Sequence, residues 1–210
     1  MSGLVVDPER AEVSGPEPAI RELLAGGEEP GPPLLAAGLR AARAPLARFR
    51  VTGLPEPVEA LAGADAAVLV LRLGGERVAL RACTPSGLLG LLVRAVGLCP
   101  RPRVSLDEPL LVAADRMAAI VNERTAAPAG LDEPREALLQ EHLDALVAHW
   151  RIEAHGAGEG WYLEVLDSER GLWTVEDAPD RRLALAPTGA TAVLDELAAL
   201  PGRVGLGPQA

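Results

Sequence analysis

Apolar and polar positions alternate in a way that predicts a strand, turn, strand and helix within residues 66–97. Residues 68–73 are aliphatic apart from Arg72, and residues 77–82 have the period-two pattern of a half-buried strand. Gly74 and Gly75 between them are typical of a two-residue hairpin turn, because glycine tolerates positive φ. Thr84 and Pro85 suit the start of the apolar helix that follows, and Gly97 is placed to end it.

The same order of elements returns in residues 161–200. Strands are predicted at 162–166, 171–175 and 182–186, and Pro187 opens a helix over residues 188–200 with an apolar face. A weaker copy, two short strands and a helix over residues 17–25, stands at the start of the chain. We therefore predict an α+β fold with two pseudo-symmetric halves, each an antiparallel hairpin-containing sheet flanked by helices.

The remaining pattern predicts further elements and a boundary between the halves. Residues 28–33, with three prolines, cannot be helix or central strand. Periodicity predicts helices at 34–44, 58–62, 108–124 and 133–149, and strands at 47–52 and 151–155. Residues 125–131 form the clearest linker, so the sequence predicts an N-terminal half at 1–126 and a C-terminal half at 127–210, packed as one compact unit.

Composition excludes several classes of protein. The chain has 210 residues, 49% of them hydrophobic, and a net charge of −10 with every basic residue an arginine. This charge argues against binding to nucleic acid or to an anionic membrane surface. No run approaches the roughly 20 apolar residues of a membrane span, and no secretory leader pattern is visible. Cys83 and Cys99 flank a predicted helix of about 20 Å, too far apart for a disulfide, so we expect free thiols and a cytoplasmic location.

No group of residues has the spacing of a catalytic or metal site. His142 and His149 share a predicted helix face but lie about 10 Å apart along its axis, too far for one zinc ion. Thr84 and Ser86, at the start of an apolar helix, either cap that helix or help to bind an anion. Cys83 beside them is either an activated thiol or an unreactive one. The aspartates are scattered and form no dyad. The sequence therefore predicts no enzyme, no metal and no cofactor.

Four of the five aromatic residues lie between positions 150 and 173. Trp161 and Tyr162 are neighbours in a predicted strand, so their side chains point to opposite faces of the sheet. One face must be buried. The other face of the sheet either binds a partner or is covered by helices or by the other half. Binding is consistent with the frequency of tryptophan and tyrosine in binding hot spots.

Four passages of the chain together resemble the EspG family, the cytoplasmic chaperones of actinobacterial type VII secretion. Residues 13–33 are similar to the family's opening helix and proline-rich turn. Residues 39–51 are similar to the segment before the first sheet, in which leucines and a proline precede a strand. Residues 68–98 resemble the hairpin and helix of the first half. Residues 163–200 are similar to the closing turn, strand, proline and amphipathic helix.

Two departures from the family pattern concern the partner more than the fold. The chain is shorter than is usual for the family, and the missing part is the helical stretch after Pro33. In this chain Leu172 and Trp173 follow the pair Arg170-Gly171. In the family a tyrosine after a glycine-arginine pair is more usual.

The resemblance implies a non-enzymatic chaperone or adaptor that shields the apolar tip of a helical secretion substrate until export. A binding surface of this kind needs a sheet face and loops that present apolar groups. The alternative is a stand-alone regulatory or structural module, a homodimer formed through the aromatic-bearing sheet. The candidate partner contacts are Arg72, Leu73, Gly74, Gly75, Glu76, Trp161 and Trp173.

Overall fold

The computed structural model describes residues 3–26, 31–157 and 160–206. Within these ranges the chain forms eleven strands and six α-helices. The strands are β1 (Val5–Asp7), β2 (Glu12–Pro16), β3 (Ala47–Thr52), β4 (Val58–Ala62), β5 (Ala67–Arg72), β6 (Arg77–Cys83), β7 (Leu110–Ala113), β8 (Leu146–His155), β9 (Trp161–Ser168), β10 (Gly171–Ala178) and β11 (Arg182–Thr188). The helices are α1 (Glu17–Leu24), α2 (Pro33–Arg43), α3 (Pro85–Val96), α4 (Met117–Glu123), α5 (Glu133–Asp144) and α6 (Ala190–Arg203).

The hydrogen-bonded strand order is β1-β2-β6-β5-β4-β3-β8-β9-β10-β11-β7, which confirms the predicted α+β fold. The ladders β2–β6, β6–β5, β5–β4 and β4–β3 are antiparallel. So are β9–β10, β10–β11 and β11–β7.

The order of elements repeats along the chain and accounts for the pseudo-symmetry. The first repeat is strand β2, helices α1 and α2, the meander β3–β6 and helix α3. The second repeat is strand β7, helices α4 and α5, the meander β8–β11 and helix α6. In each repeat the first strand pairs antiparallel with the last strand of its own meander, β2 with β6 and β7 with β11.

Two compact units divide the chain, and each is discontinuous in sequence. The first unit contains Met1–Gly97, Ile152–Tyr162 and Leu197–Ala210, and the second contains Leu98–Arg151 and Leu163–Glu196. These units are not the consecutive stretches 1–126 and 127–210 that the linker pattern predicted. Strand β7, which opens the second repeat, lies before residue 126, and strands β8 and β9 each contribute residues to both units.

In the first unit, helices α1 and α2 cover one face of strands β2, β6 and β5. Val13 and Leu80, opposite each other on β2 and β6, belong to one buried cluster with Ile20 and Leu39 of the helices. Gly38 allows the close approach of α2, because a Cβ atom there would lie 2.7 Å from that of Ala82. This face of the β5–β6 hairpin is thus closed by the protein itself.

In the second unit, a separate core forms around strands β7, β10 and β11. Leu110 of β7 lies opposite Leu185 of β11, and both are fully buried. Ile120 of α4, Leu139 of α5 and Trp173 of β10 complete the centre of this cluster. Each unit therefore has its own aliphatic core, and the second also contains a tryptophan.

Several predicted elements are confirmed with small shifts in their ends. Strand β3 occupies residues 47–52 as predicted, with Phe49 buried and its arginine neighbours exposed. The Oγ1 atom of Thr84 accepts a hydrogen bond from the N–H of Gly87, and Gly97 ends α3 in the left-handed conformation. The turn after β5 is one residue longer than predicted, because the N–H of Leu73 donates to the carbonyl of Arg77.

Two stretches rich in alanine and leucine that were predicted as helix contain strands, one over its whole length and the other in its first part. Residues 58–62 form β4, which pairs with β3 on one side and β5 on the other, so the predicted helix there is wrong. The predicted helix at 108–124 begins only at Met117, because residues 110–113 form β7. In β7 the buried Leu110 and Val112 alternate with the exposed Leu111, the period of a strand.

Helix α5 and strand β8 also divide the chain differently from the prediction. The helix ends at Asp144, and residues 146–155 are strand, so the end of the helix predicted at 133–149 is wrong. Trp150, Ile152 and Ala154 are buried at alternate positions of β8. Pro187 lies within β11 and does not open the last helix, which begins at Ala190.

The segment that leads into β7 is held against β9 and the start of β10 within the second unit. Arg101 donates a 2.7 Å hydrogen bond from Nε to Asp167, whose side chain is almost fully buried. Gly171 at the start of β10 leaves room for this segment. A Cβ atom there would clash with Val104 and lie 3.2 Å from the carbonyl oxygen of Pro102.

Replacing Gly171→Ala is expected to lower the free energy of unfolding by roughly 1–3 kcal/mol, because the added methyl group overpacks this contact. Gly202→Ala is the matched control. It lies inside α6 with no atom within 4 Å of the added group, and alanine favours helix over glycine by about 0.5–1 kcal/mol. Urea unfolding of both variants measures the difference. Equal stability of the two would contradict the proposed contact.

Candidate functional site

The loop between β5 and β6 is the most exposed of the predicted contact regions. Arg72, Leu73, Gly74, Gly75 and Glu76 are all exposed, and 53% of Leu73 is accessible to solvent. Gly74 and Gly75 have φ values of +81° and +59°, with no atom within 4 Å of an added Cβ. This loop, which we call the hairpin tip, therefore presents a leucine and open backbone to solvent.

The base of the hairpin tip is anchored to helix α1. The N–H of Glu17 donates a 2.7 Å hydrogen bond to the carbonyl of Glu76. The carboxylate of Glu17 lies 3.7 Å from the guanidinium of Arg72 and 2.6 Å from that of Arg21. The tip is thus exposed but held at its base, an arrangement that lowers the entropy lost when a partner binds.

Trp161 lies at the start of β9, in the same unit as the hairpin tip, and is half-buried. The guanidinium carbon of Arg203 lies 5.3 Å from its ring centroid, within cation–π range. The ring therefore has one face against a charged side chain and keeps part of its surface accessible.

Trp173 does not present its ring at the surface. It is 1% exposed and packs in the core of the second unit, where His142 meets it edge-on at 5.0 Å between ring centroids. Burial lowers the pKa of His142, which disfavours the charged imidazolium. A core role for both rings replaces the predicted contact role of Trp173.

A buried carboxylate network lies on β8 and β9, and the sequence did not indicate it. His149 Nε2 lies 2.7 Å from one oxygen of Glu164, and Arg151 donates to the other at 3.3 Å. Burial opposes ionisation of Glu164, but its hydrogen bond to His149 and the charges of His149 and Arg151 outweigh it, so its pKa is lowered. His149 is therefore a strand residue in an ionic network, and the helix face it was predicted to share with His142 does not exist.

Cys83 lies at the end of β6 and is partly buried. Burial raises its pKa from 9.0 to about 11. The neighbouring Thr84 hydroxyl is engaged in capping α3, which supports the capping role over an anion site. Among the described residues, no three His, Cys, Asp or Glu side chains are grouped so that they could hold a metal ion. No helix within the described ranges is long and apolar enough to cross a membrane.

The sequence found the hairpin tip from its glycine pair, but it could not find the network around Glu164. Residues 149 and 151 share a face only if they lie in a strand, and the sequence predicted helix through residue 149. The alternation of His149, Arg151 and Glu153 with apolar neighbours is the signal that was available.

No protein-family model matches this chain, and no curated protein matches its sequence. Its fold is similar to that of a solved structure, described as the Mycobacterium tuberculosis type VII secretion system chaperone EspG5 in complex with a PE25-PPE41 dimer. The TM-score is 0.53 at 14% sequence identity, and the alignment covers 89% of this chain and 84% of that chain. The resemblance to the EspG family is thus supported at the level of the fold.

Replacing Glu164→Gln should lower the free energy of unfolding at pH 7 by roughly 1–3 kcal/mol, as expected for a lost charge-assisted hydrogen bond. A carboxylate with a lowered pKa stabilises the fold above its unfolded pKa, and this contribution disappears as the pH falls through the folded pKa. The difference between wild type and variant should therefore shrink below about pH 4.5, the ordinary value. Urea unfolding at pH 7 and pH 3 measures it, with the exposed Glu59→Gln as control. A difference independent of pH would contradict the assignment.

Cys83 should react slowly with thiol reagents in the folded protein. A pKa of about 11 leaves a thiolate fraction at pH 8 roughly one hundredth of that of a thiol with the ordinary value. The rate is measured with Ellman's reagent on a Cys99→Ala variant, in which Cys83 is the remaining thiol. Unfolding in urea should restore the rate of a free thiol, and fast labelling of the folded protein would show that Cys83 is activated.

Proposed function

We propose that this protein is a non-enzymatic cytoplasmic chaperone or adaptor that binds a helical secretion substrate of a type VII system through its hairpin tip. The observation that carries the proposal is the exposed Leu73 on an anchored, glycine-opened loop. The similarity in fold to a solved secretion chaperone in complex with a PE25-PPE41 dimer supports it.

The physical basis of binding would be burial of the apolar tip. Removing a fully exposed leucine side chain from water contributes about 1.5–3 kcal/mol. Leu73 is 53% exposed, so its burial would contribute about half of that. Because Glu17 already holds the base of the loop, little ordering of the backbone would be needed. Gly74 and Gly75 carry no side chains, so a partner helix could approach the backbone closely at these two positions.

Trp161 is the second proposed contact of the first unit. Its ring is partly accessible beside Arg203, and amphipathic aromatic side chains are frequent anchors in interfaces. Trp173 is not included, because it belongs to the core of the second unit.

The proposed absence of catalysis rests on the chemistry of the described residues. The one cysteine with a shifted pKa has it raised, which disfavours the nucleophilic thiolate. The buried carboxylate of Glu164 is hydrogen-bonded to His149 and Arg151 and has a lowered pKa, so it is poorly suited to act as a general acid at neutral pH.

Replacing Leu73→Asp is expected to weaken the complex with the secretion substrate at least tenfold, or about 1.4 kcal/mol. Co-expression with helical secretion substrates encoded in the same genome identifies the substrate. Calorimetric titration of the separately purified proteins then measures the dissociation constant. Leu46→Asp is the matched control, because Leu46 is a similarly exposed leucine of the same unit outside the tip. Equal effects of the two substitutions would contradict a binding role for the tip.

Light scattering of the purified chain distinguishes the proposed chaperone from a homodimeric module. A chaperone of this kind is expected to be monomeric until its substrate is added. A constitutive dimer that forms no complex with any secretion substrate would support the homodimeric module instead.

A further inference from the structure

The outer side of the β5–β6 hairpin carries a stripe of leucines flanked by arginines. Leu69 and Leu71 of β5 point to the same side of the sheet, and Leu73 follows directly after the end of the strand. Leu69 is only 2% exposed, so it forms the buried end of this stripe. On β6, Arg77 and Arg81 leave on that same side, since Arg81 lies opposite Leu69 in the ladder. We call this surface, together with the flank of α3 that borders it, the outer hairpin face.

The opposite side of the hairpin is already occupied. Val68, Val78 and Leu80 point to that side and are buried in the cluster formed with α1 and α2. The outer hairpin face is different, because Leu71 is only half-buried and Leu73 is exposed. Val5 of the edge strand β1, which is 59% exposed, lies in the same cross-strand row as Leu71.

Helix α3 forms one wall of a cavity on this face. Its residues Leu88, Leu92 and Val96 are buried, whereas Leu91 and Ala95 on its flank border the cavity. The cavity has a volume of about 580 Å³, and its other walls include Leu69, Leu71, Arg10, Arg81 and Arg94. Aliphatic side chains therefore form its floor and guanidinium groups its rim.

The charge of the outer hairpin face is opposite in sign to that of the whole chain. Asp7 lies 3.6 Å from Arg10, and Glu12 lies 2.6 Å from Arg81. Within the described part of the chain, Arg77 and Arg94 have no carboxylate partner. Since the chain as a whole carries a charge of −10, this face is a local basic site with apolar residues at its centre.

We propose that the outer hairpin face binds an amphipathic helix that presents apolar side chains along one stripe and carboxylates beside it. The inference rests on the proposed function, because Leu73 belongs both to the hairpin tip and to this face. The proposal extends the binding surface from the hairpin tip to the neighbouring cavity, and it requires the partner segment to be acidic.

The dimensions of the stripe agree with a helical partner. The accessible leucines, Leu71 and Leu73, lie about 7 Å apart along the chain, at about 3.3 Å per residue. One turn of helix, with a rise of about 5.4 Å, covers a similar length. Apolar residues at positions i and i+4 of such a helix would meet these two leucines, and acidic residues on its flanks would reach the arginines of β6 and α3.

The test uses two labelled synthetic peptides of roughly 18 residues, long enough to form helix in isolation. Both carry the same leucine stripe, one with glutamate and the other with lysine on the flanks. Fluorescence anisotropy with the full chain should show the glutamate peptide binding at least tenfold more tightly, with an affinity that falls as salt is added.

A charge reversal with a matched control makes the test specific. Arg77→Glu combined with Arg94→Glu should invert the preference between the peptides. Arg48→Glu combined with Arg50→Glu, at two exposed positions of β3 in the same unit, should leave it unchanged. Circular dichroism verifies that both double variants fold.

Equal binding of the two peptides, or equal effects of the two double variants, would overturn the inference. These outcomes are distinct from failure of the proposed function. A chain that binds its secretion substrate through Leu73 but shows no charge preference rejects the acidic groove alone. A chain that binds neither the substrate nor the glutamate peptide rejects both.

Discussion

The antiparallel pairing of the first strand of each repeat with the last strand of its own meander is the contact on which the structure depends. In the first repeat, residues 12–16 of β2 meet residues 77–81 of β6, and in the second, β7 meets β11. Closing a loop of this length costs chain entropy that grows only slowly with length. Once the pairing forms, its register determines which side chains of the last strand face the helices and which face outward, because a shift of one residue would exchange the two faces.

The candidate binding surface follows from that register. Leu80 points inward because it lies opposite Val13, so its neighbours on β6, Ala79 and Arg81, must point outward. The same alternation in β5 sends Val68 and Val70 toward α1 and α2 and the leucines of the stripe outward. Helices α1 and α2 cover one face of the hairpin. On the other face Leu69 and Ala79 are buried, whereas Leu71 is half-buried and Leu73 is exposed.

The buried carboxylates of the second unit are paired with basic side chains. Arg101 satisfies Asp167 beside the connection into β7, and His149 with Arg151 satisfies Glu164 between β8 and β9. Each carboxylate is matched by a cation at hydrogen-bonding distance, which offsets part of the cost of burial. His142 contributes through ring packing against Trp173 and is disfavoured as a cation by burial.

The sequence by itself determined the elements whose ends are chemically marked. The glycine pair after β5, the Thr84 cap with Gly97 at the other end of α3, and the alternation of Phe49 and Val51 with arginines each restrict the local backbone strongly. Tertiary pairing alone decided residues 58–62, 110–113 and 146–150, where alanine and leucine fit a helix or a strand equally well and the hydrogen bonds of distant partners select the strand. It also decided which aromatic and ionic side chains are accessible, because Trp173 and Glu164 acquire their surroundings only from residues far away in the sequence.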